Sequence, residues 1–169
     1  EALQREIPHA AKVSMWVANQ AYFQFLQDKG KIRKDIKFIT PDIIVTITNK
    51  GATLGRVLFY DKKLSSNNTI SCSSCHQQAN AFSDTNVAST GVNGTTGRHS
   101  MRLINARFAV ESKFFWDERA GSLELQTTMP IKDHGEMGFS GANGDLAFSD
   151  LITRLQGIDY YKELFKFVY

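Results

Sequence analysis

The feature that most constrains this chain is the five-residue segment Cys72-Ser73-Ser74-Cys75-His76, which holds both of its cysteines. Two cysteines three positions apart do not form a disulfide scaffold. A zinc site would need further ligands at a suitable spacing, and the chain has no second cysteine pair to supply them. A thioredoxin-like redox pair is typical of alternating strands and helices, which the surrounding sequence does not show. The remaining interpretation depends on the histidine that directly follows the second cysteine.

Cys-x-x-Cys-His is the attachment signal of haem c. One helical turn places the two sulfurs where they can bond the two vinyl groups of a haem, and the next residue presents an imidazole to the iron. We therefore predict one covalently bound haem c, attached through Cys72 and Cys75, with His76 as the metal ligand. Because haem is attached to such proteins outside the cytoplasm, we expect a periplasmic or otherwise exported protein.

Hydrophobic periodicity predicts an all-α fold with long loops. An amphipathic helix is expected over residues 10–28, followed by an extended linker up to residue 48. Further helices are predicted at 52–60, from residue 71 through the haem motif, and at 101–108, 121–128, 146–155 and 160–168. Residues 83–97 are rich in Gly, Ser, Thr and Asn and predict a long irregular loop. The last helix has an apolar face and no terminating residue, so we expect the chain to be part of a longer protein.

Charge and hydropathy argue against two classes of partner. The net charge of +3 gives no electrostatic reason to expect nucleic-acid binding. The most apolar stretch, residues 10–26, is too short and too polar to span a bilayer, so membrane contact is not expected. The chain begins with Glu1 and shows no signal peptide, so we expect its N-terminus to be processed or cut.

The function of a haem protein depends on the iron position opposite its first axial ligand. A methionine or a second histidine there gives a closed electron carrier, whereas an open position lets a small molecule such as peroxide bind. The candidate closing ligands are Met101, Met129, Met137, His99 and His134. Met129 and Met137 follow His76 by some tens of residues, as expected of an electron-transfer cytochrome. Because most methionines fill hydrophobic cores, spacing alone leaves both alternatives open.

A series of short motifs around the haem motif occurs in an order that resembles a known family. The motifs are Leu54-Gly55-Arg56-Val57-Leu58-Phe59-Tyr60-Asp61, Leu64-Ser65-Ser66, Thr69-Ile70-Ser71-Cys72, Phe115-Trp116-Asp117, Arg119-Ala120, Gln126, Pro130-Ile131 and Glu136-Met137. Together they resemble the N-terminal haem domain of bacterial dihaem cytochrome c peroxidases, which include the MauG-type methylamine-utilisation enzymes. The resemblance implies a cytochrome c-like haem domain over residues 49–169, preceded by an N-terminal helix and linker extension over residues 1–48. It also implies that the chain is the first half of a two-haem protein.

The same resemblance implies roles for single residues. His76 would be the proximal ligand of a peroxidatic haem, with Gln126 and Glu136 in the distal pocket. Pro130 would shape that pocket. A carboxylate such as Glu136 can move a proton between the two oxygens of peroxide, whereas Gln126 can orient the peroxide by hydrogen bonding.

Two more residues receive roles from the resemblance, and two positions depart from it. Trp116 would lie between this haem and a second one, and Arg98 would lie in a loop that binds the cofactor. Many relatives carry an iron-closing histidine where this chain has Val92-Asn93, so we expect an open iron, as in the MauG-type branch. His99 stands where many relatives have a calcium-binding asparagine. Because calcium prefers oxygen ligands, we do not predict calcium.

The leading hypothesis is therefore a haem c peroxidase domain that reduces hydrogen peroxide to water. Its electrons would come through a second haem domain from an electron-donor cytochrome or copper protein. The alternative is a non-enzymatic electron-transfer cytochrome with Met129 or Met137 as the sixth ligand. A third interpretation is a MauG-type haem oxidase that acts on a protein or another organic substrate.

Overall fold

Most of the described chain is helical. The computed structural model describes residues 49–104, 106 and 113–168, with helices at Asn49–Tyr60 (α1), Cys72–Cys75 (α2), Leu123–Ile131 (α3), Phe148–Gln156 (α4) and Asp159–Val168 (α5). Short 3-10 turns occupy Lys62–Leu64 and Gln78–Asn80. The helix and linker predicted before residue 49 lie outside the described residues. Within the described ranges, no helix is long and apolar enough to cross a bilayer.

One hydrophobic core joins α1, α4 and α5. Leu54 and Leu58 lie one turn apart on α1, and Leu151 and Leu155 repeat this spacing on α4, so each helix presents one apolar stripe. All four are buried together with Tyr161 of α5. The other buried members of the core are Leu64, Ile131, Met137 and Phe139. Burial of each leucine stabilises the fold by roughly 1.5–3 kcal/mol, which anchors α1 beside the haem motif.

A second contact surface of α1 faces the haem motif. Phe59 and Phe82 form a smaller buried cluster, with ring centroids 6.0 Å apart, and Cys72 packs against it. At the end of α1, the hydroxyls of Tyr160 and Tyr161 both donate to the Asp61 carboxylate, at 2.5 and 2.8 Å. The helix thus links the core and α5 to the Cys-x-x-Cys-His motif.

The turn that leads into the haem motif is held by one side chain of α4. The Nη1 atom of Arg154 donates to the carbonyl oxygens of Lys63 and Ser65 at 3.0 and 2.7 Å. Its Nη2 atom donates to the carbonyl oxygen of Ser66 at 3.0 Å. The guanidinium also lies over the Phe139 ring, 5.1 Å from its centroid. A single arginine therefore fixes the backbone between α1 and α2.

Replacement of Arg154 by alanine should destabilise the domain. The variant leaves three carbonyl oxygens without their charged donor, and the expected loss in the free energy of unfolding is roughly 2–3 kcal/mol. Arg154→Lys should recover only part of this loss, because an ammonium group lacks the planar fork of the guanidinium. Denaturant unfolding of the haem-loaded protein measures the effect, with Lys166→Ala on the exposed side of α5 as the control. Equal free energies of unfolding for Arg154→Ala and the control would show that Arg154 does not stabilise the turn between α1 and α2.

Residues 83–97 contain a short hairpin. Strand β1 (Thr90–Gly91) pairs antiparallel with β2 (Gly94–Thr95), and Gly91 lies opposite Gly94. Gly94 has a φ of +107°, which glycine adopts readily and which lets the chain reverse direction. The prediction of an irregular loop is wrong at these four residues. The all-α prediction is confirmed in part, because the described fold is mostly helical with one small sheet.

Candidate functional site

One cavity of about 580 Å³ is lined by the haem motif, α3, the residues that follow α3, and two loops. This volume lies within the range of about 300–1,000 Å³ that is typical of cofactor and ligand sites. Every residue that the sequence analysis assigned to catalysis, cofactor binding or metal ligation lines it: Cys72, Cys75, His76, Arg98, Trp116, Gln126, Pro130 and Glu136.

The loop over residues 100–103 lines the same cavity with four consecutive residues. A helix cannot direct four consecutive side chains to one side, because each residue turns by about a quarter of a revolution or more. The helix predicted over residues 101–108 is accordingly wrong at 101–103, which have no regular structure. The apolar residues of this loop, Met101 and Leu103, line the cavity instead.

The ring of His76 is held by the backbone of the loop that follows it. Its Nδ1 atom lies 3.0 Å from the carbonyl oxygen of Phe82, so Nδ1 carries the proton and the lone pair is on Nε2. Burial lowers the pKa of His76, while the carbonyl oxygens of Phe82 and Met101 partly oppose this. A neutral ring whose second nitrogen is bonded to a backbone carbonyl is the form in which histidine binds metals.

The two cysteines lie on one short helical turn at the cavity wall. The turn is fixed at its start by Ser74, whose hydroxyl accepts a hydrogen bond from the backbone N–H of Ser71 at 3.0 Å. Burial raises the pKa of Cys72 to about 12 and also raises that of Cys75. Redox-active Cys-x-x-Cys pairs instead have a lowered thiol pKa, so the environment disfavours the thioredoxin-like interpretation.

Helix α3 supplies one wall of the cavity through a single face. The lining residues Leu123, Gln126, Thr127 and Pro130 follow the spacing of three and four that places side chains on one side of a helix. The hydroxyl of Ser122 accepts a hydrogen bond from the backbone N–H of Leu125 at 3.2 Å and caps the helix. The helix therefore begins at residue 123, two residues later than predicted. Pro130 has no N–H, so the carbonyl oxygen of Gln126 lacks the usual helical partner four residues on.

Glu136 lies shortly after α3 and is half-buried in the cavity wall. Its backbone N–H donates to the side chain of Asp133 at 2.9 Å. Burial raises the pKa of Glu136, the negative charge of Asp133 raises it further, and Arg119 opposes both effects. A carboxyl group with a raised pKa takes up a proton more readily than an ordinary glutamate, which suits it to general acid–base catalysis.

Some of the candidate sixth ligands of the iron line the cavity and others do not. Met101, Met137 and His99 line the cavity, whereas Met129 and His134 are not among the described residues that do so. Met129 lies on α3 outside the face that carries the lining residues. Neither Met129 nor His134 is therefore placed to close the iron. Met137 is 4% exposed and is also part of the main core.

Both candidate histidines have other partners. The His99 ring lies 2.8 Å from the carbonyl oxygen of Asn86 through Nδ1 and 3.0 Å from the Ser83 hydroxyl through Nε2. The His134 ring pairs with the carboxylate of Asp145, with 2.9 Å between Nδ1 and Oδ2. These bonds occupy both nitrogens of His99 and direct His134 to the surface.

Trp116 lies at the rim of the cavity and is 58% exposed. Its indole N–H donates to the backbone carbonyl oxygen of His99 at 2.9 Å. This bond fixes the ring on the loop that also carries Arg98. A large aromatic side chain with one face open to solvent can contact both a group in the cavity and a partner outside it.

These features together fit a covalently held haem. The thiols of Cys72 and Cys75 lie on one helical turn that ends at the neutral, oriented imidazole of His76, and all three residues line a cavity of cofactor size. The residues that would surround the group are apolar or aromatic on several sides, including Phe59, Leu103 and Phe115. Such apolar walls suit the flat apolar face of a porphyrin.

The comparison with protein families gives one decisive match. The family model of the di-haem cytochrome c peroxidases matches residues 49–169. The chain belongs to the di-haem cytochrome c peroxidase family. It is 31% identical over 153 residues to the methylamine utilization protein MauG of Methylophilus methylotrophus, which covers 90% of this chain and 43% of that protein. It is 30% identical over 162 residues to the cytochrome c peroxidase Ccp of Escherichia coli, which covers 94% of this chain and 33% of that protein.

A solved structure of a MauG-like protein associated with microbial copper homeostasis is also similar. The TM-score is 0.56 at 30% sequence identity, over 79% of this chain and 39% of that chain. The chain thus spans less than half the length of these relatives. The alignments with MauG and Ccp extend to residues before 49, where the family model begins.

Three charged residues of this peroxidase-family site, Asp117, Arg119 and Asp133, have no role predicted from the sequence. Asp117 lies between two arginines at the rim, 2.8 Å from Arg119 and 3.1 Å from Arg98, and these contacts, above all the one with Arg119, lower its pKa. Asp133 acts on Glu136 as described above. Asp117 and Arg119 belong to the motifs around Trp116, but a linear motif does not show which charged groups form pairs.

Proposed function

We propose that this chain is the peroxide-reducing haem domain of a di-haem cytochrome c peroxidase. Cys72 and Cys75 attach one haem c, and His76 ligates its iron. The observation that carries the proposal is the meeting of an oriented histidine and a carboxylate of raised pKa, Glu136, with Gln126 in one cavity. When bound, the haem supplies an iron centre that binds peroxide and passes on electrons.

The side chains supply the proton transfers. Ionised Glu136 accepts a proton from one oxygen of hydrogen peroxide and returns it to the other oxygen, which leaves as water when the O–O bond breaks. Overall, hydrogen peroxide, two electrons and two protons would give two waters, with the haem, when bound, supplying the electrons for the second. The Gln126 amide orients the peroxide by hydrogen bonding, because it can donate and accept without changing its charge. Pro130 shapes the cavity wall beside Gln126.

The electrons come from outside this domain. A second haem domain receives them from a cytochrome or copper protein, and Trp116 at the exposed rim is the side chain through which they enter. Arg98 helps to hold the cofactor from the same rim. Covalent attachment of haem c takes place outside the cytoplasm, so the protein works in the periplasm or another exported compartment.

An open iron predicts that no methionine of the cavity controls the resting spectrum. In Met101→Leu and Met137→Leu, the side-chain volume is nearly preserved, so the fold should tolerate both changes. We expect the resting haem absorption spectrum to be unchanged in each variant. Absorption spectroscopy of the haem-loaded protein measures this, with Met129→Leu as the control outside the cavity. A loss of the low-spin signal in Met137→Leu would favour the electron-transfer cytochrome instead.

A second candidate function is MauG-type oxidation of a protein or another organic substrate. The residues Val92 and Asn93 at the hairpin, in place of a histidine, favour it, as does the 31% identity to MauG. Turnover assays of the intact protein distinguish the two. Peroxide consumption that depends only on a reduced cytochrome or copper donor would reject the oxidase.

A further inference from the structure

The hairpin at residues 90–95 is bound to the segment that carries Glu136. The backbone N–H of Val92 donates to the carbonyl oxygen of Glu136 at 2.9 Å. The N–H of Asn93 donates to the carbonyl oxygen of Gly135 at 3.3 Å. The hairpin therefore contacts the backbone of the carboxylate residue itself and of the residue before it.

Gly91 permits this contact because it has no side chain. A Cβ atom at Gly91 would lie 2.0 Å from the carbonyl oxygen of Gly135 and 3.0 Å from the Cα atom of Glu136. Both are backbone atoms, so no side chain could rotate away to make room. The φ angle of Gly91 is not positive, so the backbone conformation would accept an alanine. The steric clash with the backbone of Gly135 and Glu136 would not. Glycine is thus needed at this position for close packing.

The other side of the hairpin contacts the haem attachment motif. The carbonyl oxygen of Thr90 lies 3.9 Å from the sulfur of Cys75. At the tip, the side-chain amide of Asn93 donates to the carbonyl oxygen of His134 at 2.9 Å. Within four residues, the hairpin touches the cysteine wall of the cavity and the segment that carries the carboxylate.

We infer that this hairpin is a positioning element, in which Gly91 and Asn93 set the place of the Glu136 carboxylate relative to the attached haem. The inference rests on the proposed acid–base role of Glu136. A proton shuttle works only within hydrogen-bonding reach of the peroxide, and displacement by about 1 Å can cost 100-fold in rate. The three residues from Thr90 to Val92 link the Cys75 sulfur, through the Thr90 carbonyl oxygen, to the backbone of Glu136, through the Val92 N–H.

The test is a double-mutant cycle on the intact, haem-loaded protein. Gly91→Ala should lower the rate of reaction with hydrogen peroxide by about 10- to 100-fold while haem remains attached. The same change in a Glu136→Gln background should lower it no further, because the displaced group is already absent. The pH of half-maximal rate should fall in Gly91→Ala, since a displaced carboxylate is less buried. Gly121→Ala is the matched control, because a Cβ there meets nothing within 4 Å and the residue does not line the cavity.

A second variant tests the inference without a steric clash. Asn93→Ala removes the tip contact with His134 and should lower the rate less than Gly91→Ala, again only when Glu136 is present. An unchanged rate in Gly91→Ala, or an equal loss in both backgrounds, would overturn the inference. A wild-type rate in Glu136→Gln alone would instead reject the proposed function, so the two failures are distinguishable.

Discussion

A protein in which Cys72 and Cys75 are both replaced by alanine should release all of its haem on denaturation. The two sulfurs are the only cysteine sulfurs in the chain, so the double variant can form no thioether bond. The bond from His76 to iron would remain, but it is reversible and is lost when the imidazole loses its backbone support at Phe82. Each single variant should keep one thioether and therefore retain its haem. Haem-stained denaturing gels and the mass of the intact chain measure the outcome.

The control for this experiment lies in the same helical turn. Ser73→Ala changes a residue between the two cysteines, and its hydroxyl contacts only the neighbouring Ser71 among the hydrogen bonds of the turn. Haem should stay attached in this variant at the wild-type level. Haem that survives denaturation in the double variant, or cysteines in the wild-type protein that react fully with an alkylating reagent, would show that the motif is not an attachment site.

The helices of the core could be predicted from the sequence because their apolar residues repeat at helical spacing. Helix α4 begins within two residues of the prediction, and α5 within one. Both helices bury one stripe, and such a stripe is visible in a linear sequence. Helix α3 begins at residue 123 rather than 121 because Ser122 caps it: the Ser122 hydroxyl accepts the hydrogen bond from the N–H of Leu125, and glycine at 121 has no side chain to do so.

The hairpin and the Arg154 contacts could not be predicted in this way. The strands have two residues each, too few for an alternating pattern, and the pairing depends on contacts with residues 135 and 136 far along the chain. Arg154 binds backbone atoms about 90 residues before it, with sequence separations of 88 to 91. Carbonyl oxygens are present at every residue, so no residue type marks the acceptors of such an arginine.

Helical geometry decides which residues of α3 can face the cavity. Gln126 and Pro130 are four residues apart and share a helix face, so a pocket lined by both excludes Met129 from that face. The number of residues between His76 and Met129 allows Met129 as an iron ligand, but the direction of its side chain on α3 does not. Resemblance to a family supplied the residues of the site, while helical geometry decides which of their neighbours can join them.

Replacement of Glu136 by glutamine should lower the rate of reaction with hydrogen peroxide by about 100- to 10,000-fold, the range for loss of a general acid–base group. Glutamine keeps the size and hydrogen-bonding capacity of the side chain but cannot take up the proton. Stopped-flow spectroscopy of the haem-loaded protein measures the rate, with Glu163→Gln on the exposed side of α5 as the control. A rate within the error of the wild type would reject Glu136 as the proton shuttle.

The pH dependence of the same rate gives an independent check with a defined sign. Glu136 must be ionised to accept the proton, so the wild-type rate should fall as the pH falls through the pKa of this group. Because burial and then Asp133 raise the pKa of Glu136, the fall should occur at a higher pH than for an ordinary glutamate. Asp133→Asn removes the negative charge but keeps an oxygen for the Glu136 N–H, and it should move the fall to lower pH. The rate of Glu136→Gln should show no such fall, whereas an identical pH profile in that variant would assign the titration to another group.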